Sequence, residues 1–251
     1  MSMIKRLRIG SLALLVLISV HGTAGATDPP QVPAFSRMTA GAEIAGWQIL
    51  KPAPHAPETH YSLVADSGVV VLAAAANHSM SGLIYPVRVD VREFPRLRWR
   101  WKITAPLQTA DMMTKAGDDY AARIYVLFDY PVEKLSMLTR AKLKLAELAF
   151  GTKIPTAALN YIWDNQHAVG TVQANAYTDR ARMIVIESGA ANAGGWVTET
   201  RDLRADFRAA FNEEPPPIVA VAVATDTDNT GEMTNAWYGD LEFLPGAPAP
   251  P

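Results

Sequence analysis

The chain has 251 residues, 23 basic and 25 acidic side chains, a formal net charge of −2 and no cysteine. It therefore holds no disulfide framework and no thiol chemistry, and its faintly acidic balance disfavours nucleic acid and acidic lipid surfaces as partners. A chain of this length must be held by its hydrophobic core and is long enough to build one.

The start is patterned for export. Lys5, Arg6 and Arg8 precede an apolar run over residues 12–20, and Ala24, Gly25 and Ala26 are small enough for a cleavage site. This predicts a signal peptide over residues 1–26 and a periplasmic or secreted protein. Its removal takes three cations and no acid, moving the formal charge from −2 to −5. Residues 27–34 read as a flexible lead-in, 35–244 as one domain and 245–251 as a disordered Pro/Ala tail.

Within the domain the punctuation is dense. A strand over 47–50 is followed by turn-like prolines. Two strands, 61–64 and 69–74, flank Asp66, Ser67 and Gly68, a hairpin-type turn. Residues 82–91 and 97–103 alternate. In the second, Leu97, Trp99, Trp101 and Ile103 share the face expected to meet the core, and Arg98, Arg100 and Lys102 share the other.

A strand over 121–128 puts Ile124, Val126 and Phe128 in the core and sets Arg123 and Tyr125 together on the opposite face. Residues 133–150 then turn helical in period, with Gly151 and Pro155 as the stop. Further strand-like runs cover 170–176, 183–187, 197–202, 218–225 and 237–243, with a short helix over 203–211. Short β-type runs without a βαβ rhythm predict a mostly β fold, an antiparallel sandwich or jelly roll with an inserted helix near 133–150.

Chemistry-bearing residues gather in two places. Lys115, Asp118, Asp119 and Arg123 crowd the approach to the strand that carries Tyr125, and are expected to form a polar ligand-binding pocket. Asp226, Thr227, Asp228, Asn229, Thr230 and Gly231 open like a calcium loop, but the twelfth position is Trp237 rather than Glu, which excludes an EF-hand. Asp226 and Asp228 remain candidates for a structural Ca2+ or for an Asx-rich turn. Trp163 and Trp196 read as lying in or beside loops and are expected to offer aromatic faces to a ligand, whereas Trp99 and Trp101 build the core.

Catalytic signatures are sparse. There is no Gly-x-Ser-x-Gly elbow, no HExxH and no phosphate loop. A carboxylate pair for glycoside chemistry would have to come from Asp118 or Asp119, Asp226 or Asp228, and Glu187 or Glu199, and spacing alone does not set their separation.

Taken together, SGLIYPV, FPRLRWRWKI, ADMMTKAGDDYAARIYVLFD, LNYIWDN, GGWVTETRDLRADFRAAF and AVATDTDNTGEMTNAWYGDLEF resemble the secreted bacterial family labelled domain of unknown function 3047, over roughly residues 35–244. That label brings no biochemical role. The opening Gly-Trp strand and the closing Tyr-Gly-Asp-Leu-Glu-Phe strand are similar to the edges of galactose-binding-like jelly rolls, many of which are carbohydrate-binding modules. This looser resemblance implies glycan binding and a structural calcium near the chain ends, with Asp240 and Glu43 as candidate ligands, or Asp240 instead paired with an arginine such as Arg98 or Arg100. The expectation is a secreted, non-catalytic binding domain for a glycan or related polyhydroxylated envelope ligand. The alternatives are a hydrolase or lyase acting on an envelope polysaccharide, and a structural or interaction protein of the envelope.

Overall fold

A computed structural model describes residues 28–51, 55–141, 144 and 156–246. The expected signal peptide, the body of the expected 133–150 helix and residues 247–251 lie outside the described residues. The described strands in chain order are β1 (Gln48–Leu50), β2 (His60–Asp66), β3 (Val69–Asn77), β4 (Met80–Val89), β5 (Arg96–Ile103), β6 (Arg123–Phe128) and β7 (Ala157–Asp164). They continue with β8 (Val172–Asn175), β9 (Thr178–Ser188), β10 (Val197–Asp202), β11 (Ile218–Asp226), β12 (Met233–Tyr238) and β13 (Glu242–Leu244).

Two sheets pack into a jelly-roll-like sandwich. The first runs β1-β4-β11-β6-β7-β9-β8, and the second runs β10-β5-β12-β3-β2 with β13 also on β5. The alternation of β5 sets the interior. Leu97, Trp99, Trp101 and Ile103 are each at most 1% exposed. Trp99 reaches across to Tyr161 of β7 at 5.2 Å between ring centroids, and Trp101 reaches Trp163 of β7 at 5.8 Å. These tilted aromatic pairs join the sheets and bury more apolar area than any aliphatic pair of the same spacing.

Sheet neighbours depart from the sequence reading in one respect. Strand β7 pairs with β9 in parallel, because the chain passes β9's position, forms β8 at the sheet edge and returns. The expected closing strand is also divided: β12 ends at Tyr238 and β13 begins at Glu242, both on the same side of β5. The expected hairpin is present, with Ser67 at φ 54° and Gly68 at φ 82°, both in the left-handed region that such a two-residue turn demands.

Helix α1 (Leu203–Phe211) packs against β5 and β10. The Asp202 carboxylate accepts from the Arg204 and Ala205 amides, and Asn212 ends the helix at φ 56°. Phe207 is fully buried between Phe128 and Phe211. The onset of the inserted helix is later than its periodicity predicts. Residues Val132–Lys134 form a 3-10 turn, Leu135 is extended and buried, and helical residues begin at Met137 behind a Ser136 cap.

Candidate functional site

Three segments meet at one rim of the first sheet. They are the loop before β6, the β8–β9 turn and the loop between β11 and β12. The register places Ala224 of β11 beside Arg123, so the chain continues past Arg123 directly to Asp226. Arg123 and Asp226 are each 1% exposed, and the guanidinium donates to the Asp226 carboxylate. Asp118 stands 3.8 Å from the same guanidinium, and the rings of Tyr120 and Tyr125 flank it at 5.2 and 5.4 Å. Burying a charge in this way is tolerable only with an opposite charge in hydrogen-bond contact.

Asp119 organises the neighbouring loop. Its Oδ2 accepts from the Asn229 amide at 2.9 Å, the Thr230 amide at 2.6 Å and the Thr230 hydroxyl at 2.8 Å. The loop before β6 is drawn in at Gly117, where a Cβ would lie 2.5 Å from the Asp111 amide nitrogen. Glycine therefore lets residues 118–120 reach the rim.

Burial pushes the Asp119 carboxyl above its ordinary range, and the Thr230 donors and Arg123 pull it back. Burial also pushes Asp226 up, while Arg123 opposes this; with the guanidinium bonded directly to it, the pair is ionic. Oxygens of Asp119, Asp226 and Asp228 lie within 4.8 Å of one another. Among the described residues this is the one acidic group close enough to hold an ion.

Several buried polar atoms here have no hydrogen-bond partner among the described residues. They are Asp118 Oδ1, Asp119 Oδ1, Tyr120 Oη, Arg123 Nε and Nη1, and Asn160 Oδ1. Donors and acceptors both occur in the set. Nearer solvent, Asn175 donates to Asp118 Oδ2 at 2.9 Å, and the Tyr177 hydroxyl reaches Asn229 Oδ1 at 3.2 Å. Tyr177 is 59% exposed, with the Lys115 ammonium 5.1 Å from its ring centre.

The rim thus gathers Lys115, Asp118, Asp119, Arg123, Tyr125, Asp226 and Asp228 of the residues singled out in the sequence. Asn175 and Tyr177 join them from a turn whose sequence signal is slight, an aromatic two residues after an Asn. The remaining candidates lie elsewhere. Trp163 is 1% exposed in the core, because β7 is a strand buried on both faces rather than a loop. Trp196 flanks the outer face of the second sheet, against Arg100 and Lys102. Asp240 accepts from the Ser36 amide and hydroxyl, and Glu43 is exposed ahead of β1.

Glu187 and Glu199 come together at the edge of the sandwich. Burial first, then the Glu187 carboxylate, pushes Glu199 up to about 7, against the pull of the Trp101 indole and Arg201.

Fold and site define a jelly-roll-like β-sandwich with a charged, partly buried polar rim. Residues 45–242 match the family described as "Protein of unknown function (DUF3047)", and the chain belongs to that family. No curated protein matches it. Among solved structures, it is similar to a family 30 carbohydrate-binding module of a cellulosomal cellulase of Clostridium thermocellum, at 9% identity and TM-score 0.35 over 87% of this chain and 94% of that one. It is also similar to an exo-beta-agarase, at 12% identity and TM-score 0.34 over 88% of this chain and 25% of that one. A family 4 carbohydrate-binding module is a third, at 13% identity and TM-score 0.28 over 79% and 95%.

Proposed function

We propose that this chain is a non-catalytic binding protein for a glycan or related polyhydroxylated ligand, held at the rim by Lys115, Asp118, Asn175, Tyr177 and Asn229. The observation that carries the reading is the concentration at this one place of buried donors and acceptors that make no hydrogen bond, with Asp118 Oδ1 and Arg123 Nη1 paired only as ions at 3.8 Å. Buried polar atoms are nearly always paired, and a hydroxyl suits such a mixed set because it both donates and accepts. Tyr177 adds an exposed ring on which the C–H face of a sugar can lie. Arg123, Asp119 and Asp226 position the loops. Their carboxylates are engaged by a guanidinium and by backbone amides, which favours binding over acid–base chemistry.

In the periplasmic or secreted setting that the first residues suggest, the ligand would belong to the cell envelope. The test is calorimetric titration of the purified chain with a panel of neutral and acidic oligosaccharides, repeated with Tyr177→Ala and Lys115→Ala. At least one sugar binds the parent chain, and each variant weakens it about tenfold, a loss of about 1.4 kcal/mol. Failure of the whole panel to bind, or binding untouched by both variants, removes the proposal.

A second reading concerns calcium, supported by the Asp119, Asp226 and Asp228 triad and by the free Asp119 Oδ1. Calcium takes about six to eight oxygens, so backbone carbonyls and ligand hydroxyls would complete the set, and Arg123 already answers part of the charge. A calcium-dependent rise in melting temperature that Asp228→Asn abolishes supports the site; no rise at millimolar calcium dismisses it.

A further inference from the structure

The outer face of the second sheet carries a cationic row: Arg96, Arg98, Arg100 and Lys102 of β5. Three of the four are engaged. Arg96 donates to the Pro245 carbonyl, Arg98 pairs with Glu242, and Lys102 pairs with Asp66. The Arg100 side chain has no hydrogen bond and no ion pair among the described residues. It is nevertheless held in place. Its guanidinium carbon stands 4.4 Å over the Trp196 ring, and its stem lies across Gly239, where a Cβ would fall 2.5 Å from Arg100 Cγ.

Trp196 is itself fixed, its indole N–H donating to Asp66 at 3.0 Å. With its carbon over the Trp196 ring and no hydrogen bond from its side chain among the described residues, the guanidinium keeps N–H donors for a planar anion. Arg100 lines a cavity of about 310 Å³ together with Val69, Thr198, Asp240 and Glu242, among others. Thr198 lies directly opposite Arg100 in the β5–β10 register and offers an exposed hydroxyl.

We propose that Arg100 and this cavity form a second binding site, specific for the carboxylate of an acidic sugar. The charge pattern selects the ligand. Asp240 and Glu242 line the same cavity, so a dianion such as phosphate meets repulsion that a single carboxylate largely escapes. Val69, 38% exposed, gives an apolar surface for the ring, and Thr198 a partner for a hydroxyl. The volume is at the small end for ligand sites, which suits one sugar ring rather than a long chain. This site is on the opposite sheet from the rim and shares no residue with it, so the two stand or fall separately.

The test is calorimetric titration of the full chain with tetragalacturonate, with its methyl ester and inorganic phosphate as comparison probes, and with Arg100→Ala, Arg100→Lys and Tyr177→Ala. Tetragalacturonate binds, its methyl ester and phosphate bind at least about tenfold more weakly, and both Arg100 variants lose about tenfold or more. Tyr177→Ala leaves this binding unchanged, and circular dichroism shows the Arg100 variants folded. The proposal is overturned if tetragalacturonate does not bind, if phosphate or the ester binds as well, if Arg100→Ala has no effect, or if Tyr177→Ala abolishes the binding.

Discussion

Replacing Glu199 by Gln should flatten the pH dependence of stability. The Glu199 carboxyl rises from 4.5 to about 7 in the folded protein, chiefly through burial and then through Glu187. A group with a raised folded pKa contributes stability below its unfolded pKa and loses it as pH climbs through the folded value. The relevant window is therefore pH 4.5 to about 7, and the native state is weakened on the alkaline side. A shift of that size is worth roughly 3 kcal/mol in full. Glu199 is only half-buried, and solvent screening brings this to about 1–2 kcal/mol. Gln keeps the shape of the neutral acid and cannot ionise. Urea denaturation at about pH 5 and about pH 8 should show the parent chain losing about 1–2 kcal/mol and the variant losing markedly less. Equal losses in both proteins, or a parent chain stabilised by the rise in pH, would refute the assignment.

Other substitutions probe the scaffold. Phe207→Ala empties the space between Phe128 and Phe211 and should cost about 3–5 kcal/mol in chemical denaturation. Asp202→Ala removes the acceptor for two helix amides and should cost about 1 kcal/mol, with helix α1 fraying in amide exchange. Arg123→Met leaves Asp226 buried without its cation and should cost about 3–5 kcal/mol; the loss should shrink at low pH, where the orphaned carboxyl takes up a proton.

Much of the fold is legible from period alone. In β5 every second side chain enters the core, and in β6 Ile124, Val126 and Phe128 do the same. Alternation tells which face a residue takes, but not which strand lies beside it. That is why the parallel β7–β9 pair is invisible in the sequence. Strand β7 itself is hidden for a related reason. With Met112 and Tyr120 packing against Ile162 on one face and Trp101 against Trp163 on the other, it has no polar side to alternate with. Asn160 and Asp164 then look like turn residues, and Trp163 looks exposed.

The site divides similarly. Lys115, Asp118, Asp119 and Arg123 stand out because they are close in sequence. Their meeting with Asp226 depends on β11 lying beside β6, and Tyr177 arrives through β8. Arg100 looks like one more solvated cation of an alternating strand. Its distinction comes from Gly239 and Trp196, which only pairing of β5 with its two flanking strands brings near.

The order of strands also bears on how the chain reaches this state. β11 lies between β4 and β6, and β12 lies between β5 and β3, so each sheet is joined across its interior by residues 218–238. A nascent chain emerging from its N-terminal end can form the β2–β3 hairpin and the β6-β7-β9-β8 block early, but β4 cannot join β6, nor β5 join β3, until the strands between them are made. Such dependence on distant segments slows folding and leaves edges unpaired in the meantime. Each sheet therefore stays in two pieces until β11 and β12 close it.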